Sequence, residues 1–162
     1  MGVSQVVAYA LIIFISISLG LIVLGTYIRS QQILTYAYEI KQVNQLNQLD
    51  TRIFIKNIYL SGNLLYVTIT NNGTTSLYEF NNFAVIIKYY ANISNISTLI
   101  VSQYNYSKTI GPYEWTTSSI IINPSSSGVL VIELPYKPYP NTQATVVIAT
   151  NYGPEAIWRG VL

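Results

Sequence analysis

The chain contains no cysteine and no histidine. That excludes disulfides, thiol nucleophiles, Cys/His metal centres and every catalytic dyad or triad built on imidazole. Acidic residues are scarce: one Asp and five Glu among 162 residues. Little is left for a carboxylate metal cage or a general acid/base pair. Charged residues make up 9% of the chain, against a usual share of about 25%. The net charge of +2 is too small and too scattered for a nucleic-acid footprint. No phosphate loop, dinucleotide fingerprint, EF-hand loop or zinc signature occurs. Composition thus points away from an enzyme, a cofactor or a metal, and from nucleic acid.

What is present is apolar and neutral-polar. Hydrophobic residues reach 51%, and there are 15 Tyr. Asn, Ser, Thr, Gln and Tyr must carry the solubility that mixed charge usually provides. With no His, no side chain at its reference pKa changes charge between about pH 5 and 8. Such a surface suits an acidic, extracellular setting. The plainer reading is that low charge reflects a membrane protein.

The first 50 residues read as an anchor and its stalk. Val3 to Ile28 carries no charged side chain, a run of about 39 Å as a helix, where a bilayer needs about 20 residues. Ser4, Gln5, Ser16, Ser18 and Thr26 are its polar members. Gly20 and Gly25 leave room for a close neighbour, but not at GxxxG spacing. A removed signal peptide would have a basic start and an apolar core of about 7–15 residues. Here Met1-Gly2-Val3 leads straight into a longer run, which predicts an uncleaved anchor. Arg29 and Lys41 follow the span; the positive-inside rule alone would keep the C-terminal part in the cytoplasm. Composition argues for the outside, and we weight it more.

Beyond the span, Ile33, Tyr36, Ile40, Val43, Leu46 and Leu49 recur at three or four residues, and no Gly or Pro lies between Arg29 and Asp50. The period predicts one helix continuing as a polar stalk. Its apolar stripe either packs on its own domain or pairs with another subunit. The sequence predicts the division 1–50, transmembrane helix and stalk, and 51–162, an extracytoplasmic β-domain.

After Asp50 the period becomes alternating. Arg52–Leu60 and Leu64–Thr70 flank Ser61-Gly62-Asn63, a hairpin signal. Further strands are expected at Leu77–Phe80, Ala84–Ala91, Thr98–Tyr104, Trp115–Ile122, Val129–Leu134, Ala144–Thr150 and Ala156–Val161, divided by Gly, Pro and Asn turns. Many short strands rich in Val, Ile, Thr and Tyr predict an all-β fold, a β-sandwich.

Two strands are apolar on both faces. In Val85–Tyr90, Lys88 marks the outer face and places Ile86 and Tyr90 there too. In Val129–Leu134, Glu133 marks the outer face with Val129 and Val131. Ile86, Tyr90, Val129 and Val131 are therefore candidate protein-interface residues; the alternative is that a loop or neighbouring strand covers them. Ile120-Ile121-Ile122 has no charge to decide its faces. Four N-x-[ST] sequons make Asn72, Asn92, Asn95 and Asn105 candidate glycosylation sites, all in expected turns or strand margins. Their number is a mild excess over chance. Glu114 beside Trp115 reads as a solvated turn residue rather than a sugar platform.

Three stretches, MGVSQVVAYALIIFISISLGLIVLGTYI, IKNIYLSGNLLYVTITNNGTTSL and IGPYEW, resemble archaeal flagellin-like membrane proteins, and within them the archaellum accessory protein F family. The resemblance implies an immunoglobulin-like sandwich on an N-terminal membrane helix. It implies a stator-like envelope protein of the archaellum motor, in the cytoplasmic membrane with its C-terminal domain in the pseudo-periplasm. Implied partners are the surface-layer protein and an accessory protein G-like protein, with membrane lipid around the helix; a homodimer is also open. Filament subunits of this type carry a basic signal before the apolar helix, and many pilins have Glu at mature position 5. This chain has Gln5 and no such signal, so a pilin-like filament subunit is the second reading. An exported enzyme or sugar-binding domain is the third, and would need two carboxylates within about 10 Å in a cleft.

Overall fold

The computed structural model describes residues 2–162, and the chain divides into two compact units after Asn44. One helix, α1, runs Gly2–Asp50. Nothing in its sequence breaks it: it contains no Pro, and its glycines lie in the apolar segment. That segment has a mean hydropathy of 2.8 over its best window, with none of it buried. Two of its hydroxyls are returned to the backbone. Ser16 Oγ donates to the Ile12 carbonyl at 2.8 Å and Thr26 Oγ1 to that of Val23 at 2.8 Å, so these two groups are satisfied without water. The stripe Ile33, Tyr36, Ile40, Val43, Leu46 and Leu49 is exposed along its length.

The second unit contains eight strands: β1 Ile53–Ser61, β2 Leu64–Asn71, β3 Ala84–Ile93, β4 Ile96–Tyr106, β5 Glu114–Thr117, β6 Ser127–Glu133, β7 Gln143–Ala149 and β8 Glu155–Val161. They form two four-stranded layers, β1-β2-β6-β5 and β4-β3-β7-β8. A short parallel pairing, Asn105 with Glu114 and Tyr106 with Trp115, joins β4 to β5. The fold is the expected sandwich.

Alternation builds the core. Leu65, Val67 and Ile69, then Val85, Ile87 and Tyr89, then Leu130 and Ile132, then Val146 and Ile148 all point inward and are fully buried. Trp115 lies among them, 5.1 Å from Tyr106 and 6.4 Å from Phe80 between ring centres, both edge-on. Two tight turns set the hairpin registers. Gly62, at φ 65°, takes the first position of the β1–β2 loop, where a side chain would be strained. Ser94 and Asn95, at φ 52° and 65°, form the β3–β4 turn in the pattern of a type I′ loop. The Asn92 side-chain oxygen accepts the Asn95 N–H at 3.0 Å.

Two expected strands are corrected. Leu77–Phe80 is not a strand: Leu77 makes a single bridge to Ile122, and the chain then turns through left-handed Glu79 into a 3-10 helix, Phe80–Asn82. That turn swings Phe80 into the core. Trp115–Ile122 is a strand only over Glu114–Thr117. Thr117 Oγ1 donates to the Val129 carbonyl and accepts the Ser119 N–H, a local side-chain bond that ends the ladder. The following apolar run splits, with Ile122 buried and Ile120 and Ile121 exposed.

Candidate interaction surfaces

Residues opposite each other in an antiparallel pair share a face, so the register defines what each outer face presents. On β3, Ile86 is 39% and Tyr90 37% exposed. Ile86 pairs with Gln103 of β4 and Val147 of β7; Tyr90 pairs with Leu99; Lys88 pairs with Val101 and Thr145. Val147 in turn faces Ile157 of β8, and Thr145 faces Arg159. Ile86, Tyr90, Leu99, Val101, Val147 and Ile157 thus form one outer face, with Lys88, Glu155 and Arg159 as the charges among them. Leu99, Val101 and Ile157 are well exposed, and Val147 is half-buried.

Val129 and Val131 lie on the other layer. Val129 pairs with Thr68, and Val131 with Tyr66 and Thr116. Tyr66 stacks flat on Tyr59 of β1, with ring centres 4.5 Å apart and planes 3° apart. This second outer face is more polar, and Val131 is half-buried in it. The four candidate interface residues therefore fall two and two on the outer faces of different layers. Leu99, Val101, Val147 and Ile157 join Ile86 and Tyr90 only through strand pairing. Alternation within one strand could not have found them, although the uncharged run Thr98–Tyr104 was a signal that β4 has no charge-marked face.

Three sequon asparagines, Asn72, Asn95 and Asn105, are exposed, and Asn92 is half-buried. Asn92 is also committed through its side-chain oxygen to the β3–β4 turn. Asn72 lies in the tight turn that follows β2, where its N–H donates to the Arg52 carbonyl at 2.8 Å.

Beneath the first face, Tyr89 and Tyr104 are fully buried. The Tyr89 hydroxyl donates to the Tyr136 carbonyl at 3.0 Å; the Tyr104 hydroxyl has no partner. Burial pushes the Tyr89 phenol up to about 12 and raises that of Tyr104 as well. Among the described residues no group of three acidic side chains is placed to hold a metal ion. The chemistry these surfaces offer is association, through apolar contact and through backbone groups at strand edges.

The family model for conserved flagellar protein F, immunoglobulin-like domain, matches residues 49–160. No curated protein matches the chain. Among solved structures, the archaellum periplasmic stator protein FlaG from Sulfolobus acidocaldarius is 22% identical, with a TM-score of 0.56 over 68% of this chain and 99% of that one. A chain of the stator protein complex FlaF and FlaG from the same organism gives 22% and 0.56, covering 68% of this chain and 89% of that one. The archaeal flagellum of Methanospirillum hungatei strain JF1 gives 15% and 0.62, covering 100% of this chain and 93% of that one. At these identities the structures show a shared fold.

Proposed function

The chain belongs to the conserved flagellar protein F family, and from that premise we propose that it is a stator-like structural component of the archaellum, held in the cytoplasmic membrane by the apolar part of α1. The sandwich works on the outer side, in the pseudo-periplasm. The observation that carries this reading is the outer face built from Ile86, Tyr90, Leu99, Val101, Val147 and Ile157 on a domain with so few charges. A monomeric domain in water seldom leaves such a face uncovered. A part that resists torque needs a broad apolar grip rather than a reactive centre.

The partner of that face is a FlaG-like protein, the class with which FlaF stands in the solved stator complex. The face around Val129 and Val131, on the other layer, leaves a second contact free. We assign it to the surface-layer protein; a second copy of this chain would compete for one of the two faces. Asn72, Asn95 and Asn105 are offered as glycan acceptors on the same outward domain.

Binding of the full chain in detergent to the FlaG-like protein, measured at low salt and at about 0.5 M salt, tests the grip. An apolar contact changes its Kd by less than about threefold, because few charges are present to screen. A loss of tenfold or more would mean that charge, not the apolar face, holds the partner.

One fold likeness that spans the whole chain, helix included, is to an archaeal flagellum. It favours a second reading, a pilin-like subunit whose helices bundle as a filament core. Sheared, purified filaments that contain this chain in stoichiometric amount would support that reading. Filaments free of it, with the chain left in the membrane, support the stator.

A further inference from the structure

Strand β4 pairs with β3 along one side through the full register Ile93–Ile96 to Val85–Tyr104. Along its other side it meets β5 only at Asn105 and Tyr106. There the Asn105 N–H donates to the Tyr113 carbonyl and the Ser107 N–H to that of Trp115. Backbone groups of a strand alternate in direction with period two. The N–H and C=O groups of Ser97, Leu99, Val101 and Gln103 therefore point to the same side as those of Asn105. Among the described residues nothing pairs with them.

The edge is also unprotected. Natural sheets guard edges with Lys, Pro, a bulge or a short strand. Strand β1 carries Lys56 and a register shift between Ile55 and Asn57, and β8 carries Glu155, Arg159 and Gly160. Strand β4 is 11 residues long, with no charge, no Pro and no Gly. Ile96, Leu99 and Val101 stand 66%, 47% and 60% exposed beside it.

We propose that Ser97–Gln103 is a strand-addition site, and that its occupant is an uncharged edge strand of the FlaG-like sandwich protein. The proposal rests on the partner reading given above and adds a second contact of that same partner, at the sheet edge that borders the face. An incoming strand would find four outward backbone positions on β4. Its side chains on one face would continue the row formed by Tyr90 and Leu99 and by Lys88 and Val101. The edge offers no charge, so the strand that fits it is uncharged as well. Symmetric pairing with a second copy about Ile100, which would set Ser97 opposite Gln103, is the competing occupant.

Hydrogen exchange on the full chain in detergent, with and without the FlaG-like protein, reads these four amides directly. Alone, the amides of Ser97, Leu99, Val101 and Gln103 exchange fast while those of Thr98, Ile100 and Ser102 are held by β3. In the complex the first set slows by about tenfold or more. Val101→Pro removes one outward N–H and no bond to β3; it lowers affinity by about tenfold, whereas Val101→Ala, which keeps that N–H, lowers it less. If Val101→Pro does not fold, the exchange measurement on the unaltered chain still decides. Binding without protection of the four amides overturns the edge proposal and leaves the partner reading standing. Protection that grows with the concentration of the chain alone assigns the edge to a second copy and overturns the proposal. No binding of the unaltered chain removes the partner itself, and with it both readings.

Discussion

Gly73 lies against the backbone carbonyl of Asp50, so close that any Cβ at position 73 would collide with that oxygen and come within 2.6 Å of the Arg52 nitrogen. The adjacent Thr74 N–H donates to the Asp50 carbonyl at 2.9 Å, and the Gly73 N–H donates to Asn71 Oδ1 at 3.0 Å. The turn after β2 is thus closed onto the end of α1 by backbone contact. Asn71 holds it from below: its Nδ2 donates to the Thr75 carbonyl at 2.8 Å and the Ile122 carbonyl at 3.2 Å.

Gly73→Ala should therefore destabilise the sandwich by about 1–3 kcal/mol, the usual cost of overpacking. Chemical denaturation of the full chain in detergent, followed by Trp fluorescence, checks it. An unchanged midpoint would mean that the turn can move away from Asp50 freely.

Neighbouring β3 residues should respond in opposite ways. Ile87 is fully buried, and Ile87→Lys should cost more than about 4 kcal/mol, because it buries an unpaired charge. Ile86→Lys should leave folding within about 1 kcal/mol and weaken association with the FlaG-like protein. Unfolding by Ile86→Lys would show that its side chain is core.

Alkaline pH should loosen the fold. Burial holds the Tyr89 phenol at about 12, above an ordinary value of about 10. The folded chain therefore binds more protons than the unfolded chain between those two values. Its stability is fully present below pH about 10 and falls as pH rises toward 12. Tyr104, raised by the same cause, adds to the slope. Denaturation midpoints measured from about pH 8 to 12 should stay flat and then drop. A midpoint constant through pH 12 would contradict the burial of these phenols.

Sequon use should follow exposure. Peptide masses from the protein isolated from its own membranes should show glycan on Asn95, at the exposed β3–β4 turn, and none on Asn92, whose side-chain oxygen is bonded to the Asn95 N–H. Glycan on Asn92 alone would reverse that assignment.

Much of the sandwich could be read from the residues, and the reason is local. In β3 and β6 a single charge, Lys88 or Glu133, marks the outer face, and alternation does the rest. The β3–β4 turn was harder: strands expected to stop at Ala91 and resume at Thr98 in fact run to Ile93 and from Ile96. Ser94 and Asn95 take positive φ without the glycine that usually announces it. Thr117 ended a strand that Ile120–Ile122 made look longer. The candidate interaction face was half legible. Ile86 and Tyr90 follow from β3 alone, but Leu99, Val101, Val147 and Ile157 arrive beside them through register across β4, β7 and β8. The open edge of β4 depends on where β5 stops, which no period in the sequence records.

The orientation of the anchored chain is the claim on which the others stand, and the lack of cysteine allows it to be measured against no background. Ser61 lies exposed at the β1–β2 turn. Intact cells carrying Ser61→Cys, treated with a membrane-impermeant maleimide, should label that position as fully as lysed cells do. Labelling that appears only after lysis would put the sandwich in the cytoplasm and contradict the account.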